Sequence, residues 1–136
     1  MVETAIDDAP ASHPAPATGA VEPHAWSAVV IAYESGDLLV GAVDSLLADT
    51  SAGVAEVVVV DNGSRDGSVA RVCASRPGVR AVTPPRNVGY AAGANAGIAL
   101  TTAPVVAVCN ADLVAHAGTA AAVSYTHLTL PTILRV

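Results

Sequence analysis

With 136 residues, the chain has material for one modest domain and too little for two ordinary ones. Apolar residues make up 52%, yet aromatics are only 3% and Phe is absent. A core must therefore be built from Val, Ala and Leu, side chains suited to parallel strands buried on both faces. The net charge is −6, all six cations are Arg, and no basic stripe exists, which argues against a nucleic-acid partner.

Residues 1–24 are rich in Ala and small polar residues and are punctuated by Pro10, Pro14, Pro16 and Pro23. Such a segment cannot bury enough surface to offset its ordering entropy, so a disordered leader is expected. It carries Glu3, Asp7 and Asp8 but no cation or apolar stretch, unlike a signal peptide. No run reaches the ~20 apolar residues of a membrane span. The expected location is the cytoplasm, including the inner face of its membrane. Cys73 and Cys109 lie far apart and outside any CxxC pair, as expected of reduced structural thiols.

Ordered texture begins near Trp26. Ala28–Ala32 is a short apolar run that predicts a buried strand. Leu39, Val43, Leu46 and Leu47 then follow helical spacing over 36–49, with Ser35 or Asp37 as candidate caps. Glu56–Val60 predicts a second buried strand that ends at Asp61-Asn62-Gly63-Ser64. A short helix over 67–75 follows, with Asp66 as its expected N-cap and Pro77 as its stop. Val79–Thr83 predicts a weak third strand closed by Pro84-Pro85, and Gly89–Leu100 an Ala/Gly-rich helix. Pro104–Cys109 predicts a fourth strand, and a further helix begins near Gly118.

Alternating strands and helices define an α/β fold with an open parallel sheet. Right-handed crossovers bring every strand's carboxyl end to one edge, where ligands bind near a topological switch point. The polar clusters after Ala32, Val60 and Cys109 should share that edge. Each cluster has two readings. Asp61 can accept hydrogen bonds from a base or ribose, or it can close a strand-to-helix turn. Asp112, two residues after Asn110, can hold a hard divalent cation beside phosphates, or cap a turn. The small residues of 86–97 can admit a ligand to the backbone, or pack a helix closely on the sheet with Asn87 as cap.

Four segments in order carry a family resemblance. VVVVDNGSRDGS (57–68) resembles the second-strand motif of family 2 glycosyltransferases, and RNVGYAAGANAGI (86–98) their Asn- and Gly-rich helix. VCNADLV (108–114) resembles their strand-end DxD-type motif in its Asn-first variant, and Ile31–Ser35 their opening segment. The resemblance covers residues 27 to about 123 and implies a GT-A fold, so 25–123 is expected to be the donor-binding part of such a domain. It further implies metal-assisted, inverting transfer of a sugar from a nucleotide-diphosphate donor. By the same resemblance Ala32, Tyr33 and Glu34 border the nucleotide and Asp61 meets the base. Arg86, Asn87, Gly93 and Asn95 flank the donor pocket. Asn110 and Ala111 complete it, and Asp112 ligates Mg2+ or Mn2+.

The similar Asn-x-Asp motifs of rhamnosyl and galactofuranosyl transferases imply a cell-envelope polysaccharide, built on a glycan or lipid-linked acceptor. Glu34 stands where the family usually has Asn, and Ala32 where it has Pro or Thr. Asn110 lacks the charge of a first-position Asp. The family's catalytic base lies well after this motif, and no Asp or Glu follows Asp112 here, so this chain is expected to be inactive alone. A non-catalytic nucleotide-binding module shares every donor residue. A dinucleotide oxidoreductase is disfavoured because the first strand is not followed by GxGxxG and Tyr-x-x-x-Lys is impossible without Lys. Residues 124–136 abandon the preceding Ala/Val/Gly usage and resemble translated adapter or read-through sequence. They are expected to be non-native, the alternative being a genuine C-terminal strand.

Overall fold

The computed structural model describes residues 26–53 and 55–123. The expected leader (1–24) and tail (124–136) lie outside the described residues. Chain order is β1 (Trp26–Ala32), α1 (Asp37–Ala48), β2 (Ala55–Asp61), α2 (Ser68–Ser75), β3 (Arg80–Val82), α3 (Gly89–Ile98) and β4 (Val105–Asn110). A last helical segment covers 119–123. No helix among the described residues is long and apolar enough to cross a membrane.

The four strands form one parallel sheet in the order β3-β2-β1-β4. The two central strands carry the Val runs, because a strand covered on both faces has no solvent side to reserve for polar residues. Val29, Val30, Val57, Val58, Val59 and Val60 are all fully buried. Alternate residues then choose the layer. Ala28, Val30, Val57 and Val59 pack with Leu39, Val43 and Leu46 of α1 and with Val69 and Val72 of α2. Val29 and Val60 face the other way, onto Gly97 of α3. β3 is shorter than the expected Val79–Thr83, with only Arg80, Ala81 and Val82 paired to β2. Pro84 and Pro85 supply no N–H with which to extend it.

Two caps depart from expectation. Neither Ser35 nor Asp37 caps α1. Gly36 holds the N-cap position at φ 55°, and its N–H donates to Asp66 Oδ2 at 2.8 Å, across thirty residues of chain. Asp66 also precedes α2, whose N-cap is Gly67; its Oδ1 accepts the Ser68 N–H at 3.0 Å and hydroxyl at 2.7 Å. One carboxylate thus serves the starts of two helices, where negative charge suits the helix dipole.

Asp49 does similar work at the other end of α1. It is buried, and Oδ1 accepts from the Ser51 N–H (3.2 Å) and hydroxyl (2.7 Å) and from the Gly118 N–H (3.2 Å), while Oδ2 accepts from the Ala120 N–H (2.7 Å). The Ala120 and Ser51 bonds outweigh desolvation and lower its pKa from 3.8 to about 2. A carboxyl with a depressed folded pKa adds stability above its unfolded pKa and loses it as pH falls through the folded one. This group should therefore contribute roughly 2 kcal/mol at neutral pH, lost between about pH 4 and pH 2. Denaturant titrations across that range should show the parent losing more stability than Asp49→Asn.

Candidate functional site

β1 leads to β2 on one side, while β4 returns to lie on β1's other side. The chain's winding thus reverses between β1 and β4, and a crevice opens beyond their carboxyl ends, as open α/β sheets favour. The cavity there has a volume of about 460 Å³, within the range of small-molecule sites. Its walls come from four places: the end of β1 with the start of α1, the end of β2, the segment entering α3, and the end of β4.

The first wall is Tyr33-Glu34-Ser35, with Ile31 and Leu38. Glu34 is the sole described non-Gly residue with positive φ, at 50°. Asn, Asp and Gly enter this region readily, whereas a longer side chain gives up about 1 kcal/mol or more to do so. The conformation is held from outside. Glu34 N–H donates to Ser64 Oγ at 3.0 Å, and Arg65 N–H donates to Glu34 Oε2 at 2.9 Å. Together with the Gly36–Asp66 bond, these stitch the loop after β1 to the loop after β2.

The second and third walls meet through Asn62, which is 3% exposed. Its backbone N–H continues the ladder to Ala32 O at 2.8 Å. Its side chain spans the entry to α3, accepting from Val88 N–H and donating to Gly89 O, both at 3.1 Å. That junction carries Asn87 and Tyr90 into the cavity wall. Asn87 Oδ1 also accepts the Gly89 N–H at 2.9 Å, next to the Val88 N-cap. The fourth wall is a turn closed by Leu113 N–H to Asn110 O at 3.2 Å, with Ala111 and Asp112 at its corners.

Of the residues singled out from sequence, Tyr33, Glu34, Asn87, Asn110, Ala111 and Asp112 come together around this cavity. The other five do not line it. Ala32 is fully buried in the core layer shared with α1. Asp61 Oδ1 accepts from Gly63 N–H (3.2 Å) and Ser64 N–H (2.8 Å), the turn-closing alternative. Gly93 faces Asn62 and Val60, so the small residue serves helix–sheet packing rather than ligand approach. Arg86 and Asn95 are exposed outside the cavity. Sequence reasoning did not single out Ile31, Ser35, Leu38, Asn62 or Tyr90. Asn62 and Tyr90 lie inside recognised motifs, but nothing in residue type marks a buried bridging amide.

Among the described residues two carboxylates, Glu34 and Asp112, line the cavity, and no Arg does. Among the described residues no group of three or more His, Cys, Asp or Glu could cage a metal. The donors at the turn are the Asp112 carboxylate and the Asn110 amide. Such an oxygen-only set fits a hard divalent cation whose remaining ligands are water and phosphate. Both cysteines are free, and burial pushes each thiol pKa upward, as befits small hydrophobic fillers.

Fold and crevice together define an open parallel α/β domain with a cavity at its topological switch point. The family model for glycosyl transferase family 2 matches residues 27–122, and the chain belongs to that family. It is 42% identical over 85 residues to the succinoglycan biosynthesis protein ExoO of Rhizobium meliloti (strain 1021), an alignment covering 62% of this chain and 24% of ExoO. Among solved structures, the mannosyltransferase PcManGT from Pyrobaculum calidifontis, in complex with GDP-Man and Mn2+, superposes with a TM-score of 0.66 at 21% identity. That match covers 97% of this chain and 45% of PcManGT. S. aureus TarS 1–349 in complex with UDP gives 0.63 at 21% identity, over 76% of this chain and 32% of TarS. These likenesses give the GT-A fold. The chain spans about a quarter of ExoO and less than half of either solved structure.

Proposed function

We propose that this chain is the donor-binding part of a glycosyltransferase that moves a sugar from a nucleotide-diphosphate donor to an acceptor hydroxyl. The observation that carries this reading is the meeting of Tyr33, Glu34, Asn87, Asn110 and Asp112 around one switch-point cavity. Tyr33 and Tyr90, both about half exposed, offer faces for a base or sugar, and Asn87 offers an amide to its hydroxyls. Asp112, assisted by the Asn110 oxygen, would hold Mg2+ or Mn2+. The cation would neutralise charge developing on the leaving diphosphate. Family membership and the bound nucleotides of TarS and PcManGT support the donor class. ExoO's name supports a polysaccharide product.

In the inverting reaction the acceptor oxygen attacks the anomeric carbon from the face opposite the diphosphate. The carbon–oxygen bond to phosphate breaks, and a carboxylate takes the acceptor's proton. No Asp or Glu follows Asp112, so this reading assigns no base within the 136 residues and expects donor binding without turnover. Detectable sugar transfer by the 136-residue chain would overturn that expectation.

The donor site itself is tested by calorimetric titration of UDP and GDP with and without Mn2+. The parent should bind one of them more tightly with metal. Asp112→Ala should reduce the metal-dependent affinity at least tenfold, about 1.4 kcal/mol. Equal binding with and without metal in both proteins would remove the metal assignment.

A further inference from the structure

The turn that carries Asp112 is fastened from a distance. Among the described residues beyond Leu113 none pairs with the sheet, and four backbone N–H groups donate instead to side chains around the end of α1. Ala115 donates to Ser45 Oγ (2.9 Å), Gly118 to Asp49 Oδ1 (3.2 Å), Ala120 to Asp49 Oδ2 (2.7 Å) and Ala121 to Ser51 Oγ (3.0 Å). Ser51 in turn donates both its N–H and its hydroxyl to Asp49. Asp49 is therefore the hub, buried and outside the cavity. The apolar anchors of this stretch are small: Ala111 and Ala120 are buried, while Leu113 and Ala115 are half-buried. Methyl-sized contacts are weak and non-directional, whereas charge-assisted hydrogen bonds fix orientation.

We propose that Asp49 is a positioning residue for the cavity. It holds residues 113–121 against α1, so that the Asn110–Asp112 turn keeps its place opposite Glu34 and Asn87. What the turn binds rests on the donor-site reading above; that Asp49 positions it does not. An amide at this site keeps one acceptor but turns a donor toward a donor N–H, so Asp49→Asn breaks the hub with little change of shape.

Hydrogen exchange of the 136-residue chain tests this through the amides of Leu113 and Ala115, neither of which is bonded to Asp49. Asp49→Asn should cost both amides at least tenfold more protection than it costs the β1 and β2 amides, which lose only what the fall in global stability removes. Ser45→Ala removes the acceptor of the Ala115 N–H and should expose that amide directly, with a smaller loss at Leu113. Mn2+-dependent UDP or GDP affinity should fall at least tenfold in Asp49→Asn, with binding of the metal-free nucleoside unchanged. Unaltered exchange at Leu113 and Ala115, or a loss spread equally over β1 and β2, would overturn the proposal. So would altered exchange with undiminished metal-dependent affinity. If exchange responds as expected but the parent shows no metal-dependent binding, the donor-site reading fails and the positioning role stands.

Discussion

Gly97→Ala is expected to destabilise the chain by about 2 kcal/mol, and Gly97→Val to abolish its cooperative unfolding transition. A Cβ at Gly97 would lie 2.4 Å from Val29 Cγ1 and 2.8 Å from Val60 Cγ2. Both valines are fully buried and β-branched, so neither can swing aside. The helix must lift from the sheet or the valines must leave their rotamers, at a cost of about 1–3 kcal/mol or more. Higher helix propensity returns about 1 kcal/mol of this. Gly41→Ala supplies the control. Gly41 lies inside α1 with nothing within 4 Å of its missing Cβ, so that change should stabilise by up to about 1 kcal/mol. Urea titrations of the two variants should move in opposite directions. A Gly97→Ala midpoint at or above the parent's would refute the close approach of α3.

Asn62→Leu is the second large effect. The replacement is similar in size, but it strips partners from Val88 N–H and Gly89 O where α3 begins. Leaving such groups unpaired costs about 1–3 kcal/mol each when water cannot reach them. Val88 is half-buried and Gly89 exposed, so solvent repairs part of the loss. A net destabilisation of about 2 kcal/mol is expected, a fall in Tm of roughly 10 °C for a domain of this size. Nucleotide affinity should fall with it, because Asn87 and Tyr90 enter the cavity wall from this junction. An unchanged Tm together with unchanged affinity would show that the bridge is idle.

These two residues illustrate what sequence could and could not convey. The Val runs and the spacing of Leu39, Val43 and Leu46 announced strands and a helix, because burial on two faces or on one leaves a periodic trace. The strand-end position of Asp112 followed from that alternation, and with it the edge where a ligand would sit. For α3, periodicity was silent: a stripe of Gly and Ala suits a ligand or a sheet equally, and only the partner decides. Gly97 proved to face Val29 and Val60. Long-range acceptors left no trace at all. Asp66 was legible as a local cap for α2, but its bond to Gly36 spans thirty positions and obeys no local spacing. Asp49 read as the end of a helix, whereas its partners at Gly118 and Ala120 lie on the far side of the sequence. Glu34 is legible in hindsight through its conformation. A family that usually places Asn there satisfies a positive φ that Glu must be held into.

The sheet order also sets a schedule. β1 and β2 pair across a single helical connection, so their ladder closes a short loop and can form early. β4, by contrast, docks on β1 from the opposite end of the described chain. Its loop-closure entropy must be met before any of its contacts form, which makes it a late arrival. During synthesis the core of β1, α1 and β2 can be in place while the residues that complete the crevice are still inside the ribosome. The edge of the crevice is thus completed only when β4 arrives, after the pairing of β1 with β2 that supports it.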